Sequence, residues 1–129
     1  MIILDTCILL FDSLSPERLS KVATEVLESG EKTGQLYCSD ISLWEIAMLK
    51  QKQRIIIATD YLSFMQSILR SRNIQVLSIT PEIAALSVSL QLIQADPADR
   101  LIAATTVAHH AQLLTADQKL LDSQVPTLW

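Results

Sequence analysis

Residues 1–12 read MIILDTCILLFD, and within them Ile2-Ile3-Leu4 runs without polar alternation straight into Asp5. A short strand that is apolar at every position is buried on both faces, the pattern of a parallel sheet covered by helices on each side. An aspartate that breaks such a segment needs a partner, because an unpaired carboxylate is costly to bury. This one stretch therefore predicts the architecture and marks one place where chemistry is expected.

The remaining segments extend the pattern. Leu36-Tyr37-Cys38 reads as a second strand, residues 74–79 as a third and 112–115 as a fourth. Residues 125–128 form a last one, confined to a sheet edge because Pro126 lacks a backbone donor. Helical signals lie between them. Ser15-Pro16-Glu17 supplies a cap, a first-turn proline and an acid for a helix that Gly30 stops, and Ser42 to about Gln53 forms the next. A further helix spans about Asp60–Arg72, with Leu62, Phe64, Met65 and Leu69 at core spacing. Thr80-Pro81-Glu82 opens a helix to about Leu92, Asp96-Pro97-Ala98-Asp99 opens one reaching His110, and residues 117–121 make a short helical turn. Strands alternating with helices imply right-handed crossovers, so the expected class is α/β in three layers.

Composition narrows the function. The 129 residues suit one domain, half of them apolar and 19% charged, which is ample for a core and too apolar for disorder. Two glycines exclude most glycine-loop nucleotide sites. Two cysteines, Cys7 and Cys38, are too few for a disulfide framework, and a cytoplasmic location is expected. The first residues carry no basic n-region and no apolar run is long enough to span a bilayer, so no membrane association is expected. A net charge of −4 argues against a basic protein that coats nucleic acid, though not against a nucleic-acid enzyme whose acids are gathered at a metal site.

In an open parallel sheet, ligands bind beyond the carboxyl ends of the strands, and the polar residues falling there are acidic. Asp5 follows the first strand, Glu45 lies early in the helix after the second, Asp99 opens the helix before the fourth and Asp117 follows that strand. Four carboxylates converge only if something offsets their repulsion. A divalent cation does so, and oxygen ligands without a Cys/His cluster favour Mg²⁺ or Mn²⁺. Each acid also has an ordinary structural role: Ser42-x-x-Glu45 is a capping box, Asp96 a helix cap, Asp99 a first-turn acid, Asp117 a cap. The joint pattern outweighs them.

Four segments then carry a resemblance: Ile3-Leu4-Asp5-Thr6, Ser42-Leu43-Trp44-Glu45-Ile46-Ala47, Asp96 to Ala104 (DPADRLIAA) and Leu114-Thr115-Ala116-Asp117. In this order and spacing the chain resembles a PIN domain of the VapC toxin type over essentially its full length, a single domain of residues 1–129. The resemblance implies a mostly parallel five-stranded α/β/α fold and a Mg²⁺- or Mn²⁺-dependent ribonuclease. It also implies Asp5, Glu45, Asp99 and Asp117 as the catalytic, metal-binding quartet, an antitoxin partner and a homodimer. Two features depart from the pattern: Cys7 stands where a polar residue is usual, and Asp96 is a fifth acid, read as a cap with a water-mediated metal contact as its second role. Thr6 and Thr115 adjoin two of the acids and are expected to orient carboxylates. Lys50, Lys52 and Arg54, the densest basic run, and Arg100 are candidate RNA-phosphate contacts, the first three being equally a solvated helix end. His109 and His110 fall at the far end of their helix and are assigned no catalytic role.

Competing readings come from other classes. Haloacid-dehalogenase-type phosphatases also begin strand-Asp but need a second aspartate two residues on, where this chain has Cys7. Receiver domains need a phosphoacceptor aspartate after the third strand, and Ile79-Thr80-Pro81 offers none. A non-catalytic binding module on the same fold would be betrayed by a broken quartet; all four acids are present.

Overall fold

The computed structural model describes residues 1–92 and 95–129. In chain order the elements are β1 (Ile2–Leu4), α1 (Thr6–Leu14), a 3-10 turn (Pro16–Arg18), α2 (Lys21–Thr33), β2 (Leu36–Ser39), α3 (Asp40–Gln51) and α4 (Tyr61–Ser71). They continue with β3 (Gln75–Leu77), α5 (Pro81–Ser89), α6 (Pro97–Ala108), β4 (Gln112–Leu114), α7 (Gln118–Leu121) and β5 (Thr127–Leu128). The sheet order is β3-β2-β1-β4-β5, every pairing parallel, with β1 at the centre. As Pro126 required, β5 is an edge strand, and the Pro126 carbonyl still accepts from Leu113 N at 2.8 Å.

Strand alternation divides the core between the two faces. Leu4, Leu36, Cys38 and Leu114 join Ile8 and Leu9 of α1, Leu27 of α2, Ile46 of α3 and Phe64 and Ile68 of α4. Ile3 and Leu113 turn to the other face, with Ile102 and Ala103 of α6, Leu120 of α7 and Val125. Full burial of side chains such as Ile3 and Leu113 contributes about 1.5–3 kcal/mol each. No described helix is long and apolar enough to cross a membrane.

Three sequence expectations are corrected. Helix α1 has no counterpart among them: Cys7-Ile8-Leu9-Leu10-Phe11 is an uninterrupted apolar run without the period of a one-sided helix, because the strand before it and the helix itself are both packed. The next helix starts at Lys21, not after Ser15, with the Ser20 hydroxyl accepting from Ala23 N at 2.9 Å; the Ser15-Pro16-Glu17 signal makes only the 3-10 turn. Gly30 does not stop it. That glycine lies inside α2, where a β-carbon would stand 2.3 Å from Leu36 Cδ2, so it permits close approach of α2 to β2; the left-handed terminator is Gly34, at φ 65°.

Candidate metal centre

Asp5 leaves the carboxyl end of β1 in an extended conformation and caps α1, its Oδ1 accepting from Thr6 N at 2.8 Å. Its Oδ2 accepts from the Thr115 hydroxyl at 2.6 Å and faces the Cys7 thiol at 3.5 Å. The carboxylate is buried, and burial raises its pKa; the hydrogen bonds from Thr115, Thr6 and Cys7 pull it back, while the charge of Asp117 adds to the rise. The same environment pushes the Cys7 thiol up to about 12, through burial and then the neighbouring Asp5 charge, so it stays protonated.

Glu45 is placed by α3, one turn further into that helix than the sequence suggested. The cap is Ser39, accepting from Ile41 N at 3.3 Å, so the Ser42-x-x-Glu45 capping box is not formed. Ser42 is instead buried within α3, 3.0 Å from the Thr6 hydroxyl, and that hydroxyl lies 2.5 Å from Glu45 Oε1. Thr6 has one proton, and the carboxylate is its stronger acceptor. Burial raises the Glu45 pKa, Thr6 lowers it, and the charges of Asp5 and Asp96 raise it again.

Helix α6 brings two acids. Asp96 is its N-cap, with Oδ1 accepting from Asp99 N at 2.8 Å, and Asp99 sits in the first turn, half-buried. The Asp99 pKa is raised to about 7, by burial first and then by Asp5, Asp96, Glu45 and Asp117 in turn. Carboxylate oxygens of Glu45, Asp96 and Asp99 lie within 4.8 Å of one another, close enough to hold one ion, which brings Asp96 nearer the cluster than a cap alone would be. Asp117 caps α7, accepting from Lys119 N at 3.0 Å, and its own N–H donates to the Thr115 hydroxyl at 3.0 Å. Thr115 thus ties Asp5 to Asp117 as Thr6 ties Asp5's helix to Glu45.

Asp5, Glu45, Asp99 and Asp117 line one open cleft of about 450 Å³, together with Thr6, Cys7, Leu10, Phe11, Arg18, Leu49, Ala116 and Trp129. The candidate RNA contacts Lys50, Lys52, Arg54 and Arg100 are not among the residues lining that cleft. Arg100 donates to the carbonyls of Leu90 and Leu92 at 3.0 Å and of Ser87 at 3.5 Å, closing the end of α5 rather than pairing with the neighbouring acid Asp99. Lys50 donates to the Thr59 carbonyl at 2.8 Å and sits over the Tyr61 ring. Lys52 and Arg54 are exposed beyond α3. His109 and His110 follow α6 at the end away from Asp99, about 15 Å along the helix axis. Sequence reasoning missed Arg18, whose position after a helix-like proline signal gave no hint that the chain turns it back beside Phe11.

All the clustered donors are hard oxygens, and a divalent cation would offset both causes of the raised Asp99 pKa, burial first and then the charges of the neighbouring acids. A three-layer parallel α/β fold with such a cleft at its strand ends defines a class of acidic sites whose carboxylates could hold a metal ion. The PIN-domain family model matches residues 2–124, and the chain belongs to that family. It is 34% identical to Ribonuclease VapC22 of Mycobacterium tuberculosis, across 99% of this chain and 98% of that protein. Among solved structures it is similar to VapBC2 from Rickettsia felis bound to a promoter DNA fragment, with TM-score 0.75, 20% identity and 100% and 98% of the two chains covered. It is also similar to FitAcB from Neisseria gonorrhoeae, with TM-score 0.65, 20% identity and 100% and 97% covered. At those identities the structural likeness is one of fold.

Proposed function

We propose that the chain, as one PIN domain over residues 1–129, is a Mg²⁺- or Mn²⁺-dependent endoribonuclease acting as the toxin of a toxin–antitoxin pair. The observation that carries the reading is the convergence of Asp5, Glu45, Asp99 and Asp117 on one cleft; the relationship to Ribonuclease VapC22 supports RNA as substrate. When bound, the ion supplies positive charge to a phosphodiester and lowers the pKa of water at the site. Asp5, Glu45, Asp99 and Asp117 would hold it, with Asp96 adding a carboxylate at the Glu45–Asp99 side.

The chain's own contribution is orientation. Thr115 and the Thr6 N–H fix both oxygens of Asp5, and the Thr6 hydroxyl fixes Glu45, so the acids are held in place before any ion arrives. Burial and the charges of Asp5, Asp96, Glu45 and Asp117 raise the Asp99 pKa to about 7, so ion binding near neutral pH would release protons from the cluster. None of the described residues lining the cleft is a histidine, so the carboxylates would do the proton handling.

A solved structure of the same fold, a toxin–antitoxin complex from Klebsiella pneumoniae, supports a protein antitoxin as partner. Exposed Trp44 on α3 and Leu62 on α4 support a covered apolar face, consistent with homodimerisation, and two free cysteines accord with a cytoplasmic setting. The direct test is cleavage of a mixed single-stranded RNA with Mn²⁺, Mg²⁺ or chelator, using wild-type and Asp99→Asn protein. Cleavage that needs the ion and disappears in the variant is expected; equal cleavage in chelator would remove the proposal.

A further inference from the structure

Among the described residues, the cleft that holds the acids has one cation on its wall, Arg18. The 3-10 turn fixes its backbone, with Pro16 at the first position, Arg18 N donating to Ser15 O at 2.9 Å and Leu19 N to Pro16 O at 3.1 Å. Its guanidinium carbon lies 4.1 Å from the centroid of the Phe11 ring, a cation–π stack. Among the described residues this stack is its one side-chain interaction: it makes no ion pair and no side-chain hydrogen bond.

Three other cations of the chain are held more firmly. Arg72 is held by Asp12 and Glu31, Arg100 by three carbonyls and Lys50 by the Thr59 carbonyl. An arginine sharing a cleft with four carboxylates would ordinarily pair with one. Stacking on Phe11 holds the guanidinium off them and leaves its five N–H donors available. A planar fork of that kind matches the paired non-bridging oxygens of a phosphate. Arg18 lines the same cleft as the acids over which a scissile phosphate would lie.

We infer that Arg18, held on the face of Phe11, binds a backbone phosphate of the RNA next to the one being cleaved. This role rests on the ribonuclease reading above. Neutralising one phosphate of a single strand contributes about 0.7 to the slope of log affinity against log salt, so the role has its own signature.

The test compares wild-type, Arg18→Gln, Arg18→Lys and Phe11→Leu proteins cleaving a fluorescein-labelled single-stranded 12-mer RNA with Mn²⁺ at about 50–300 mM KCl. Arg18→Gln is expected to lower kcat/KM about tenfold, mainly through a raised KM, and to flatten the salt slope by about 0.7. Arg18→Lys should keep the slope and recover part of kcat/KM; Phe11→Leu should fall between. The Mn²⁺-induced rise in Tm should be the same in Arg18→Gln as in wild type, showing intact acids. If wild type cleaves and Arg18→Gln matches its KM and salt slope, the inference is overturned and the ribonuclease reading stands. It is equally overturned if Arg18→Gln loses binding to a protein partner while its RNA cleavage is unchanged. A wild type that neither binds nor cleaves the RNA removes both.

Discussion

Asp99→Asn tests the electrostatics of the site without any substrate. In the folded chain Asp99 is raised from 3.8 to about 7, by burial and by four neighbouring acids. Below about pH 4 it is protonated in both folded and unfolded states and imposes no penalty. As pH rises from there through about 7, the unfolded chain releases the proton first and the metal-free fold loses stability, reaching its full penalty by about pH 8. Three units would amount to about 4 kcal/mol in a dry interior; water around a half-exposed carboxylate screens this to about 1–2 kcal/mol. Asparagine has the same shape, keeps the Asp99 N–H bond to Asp96 and cannot ionise. In chelator, therefore, the variant should match wild type near pH 4 and unfold about 4–8 °C higher at pH 8. Thermal unfolding at half-unit steps of pH gives the curve, and a second series with Mn²⁺ should raise wild type well above its chelated value while moving the variant little. A variant less stable than wild type at pH 8 in chelator, or one gaining the full Mn²⁺ shift, would refute the account of Asp99 as a repelled metal ligand.

Two further substitutions probe the site and a third the packing of α2 on β2. Asp96→Asn keeps the cap, so its Tm in chelator should stay within about 2 °C of wild type, while its Mn²⁺ midpoint should rise because a carboxylate near Glu45 and Asp99 is gone; an unchanged midpoint would leave Asp96 a cap only. Thr115→Val removes the donor to Asp5 and the acceptor for Asp117 N, and should cost about 1–3 kcal/mol in urea unfolding and weaken Mn²⁺ about 10–100-fold. Gly30→Ala would ordinarily favour a helix by about 1 kcal/mol, yet the 2.3 Å approach to Leu36 should reverse the sign to a net loss of about 1–3 kcal/mol; a stabilised variant would show that α2 and β2 separate easily.

Reading from the sequence succeeds where one residue answers to one local force. Thr80, Asp60 and Asp96 cap the helices their spacing announces, and Ile3 and Leu4 bury opposite faces of β1 as an all-apolar strand must. It fails where tertiary packing overrides the local signal. Ser42 looks like a cap but is drawn inside α3, because Ser39 at the end of β2 is already extended and reaches Ile41 N first. Gly30 looks like a stop signal but answers to Leu36, six residues on and across a turn. Arg100 adjoins Asp99 in sequence, yet successive helical residues face different ways, and its guanidinium goes to α5.

In sequence each acid reads as either structural or functional, and the structure makes that opposition false. Asp5, Asp96 and Asp117 are the N-caps of α1, α6 and α7, and Asp99 sits in the first turn of α6. Three helix N-termini, each with N–H groups lacking an intrahelical partner and a partial positive charge, supply donors to acids that would otherwise repel one another. The caps hold Asp5 and Asp117 by one oxygen each, and threonine hydroxyls tie Asp5 to its neighbours. No hydrogen bond from the described residues lowers the Asp99 pKa, which burial and then the charges of Asp5, Asp96, Glu45 and Asp117 raise to about 7. The support is thus uneven: hydrogen bonds offset part of the rise at Asp5 and Glu45, and none does so at Asp99, where a cation would supply the missing counter-charge.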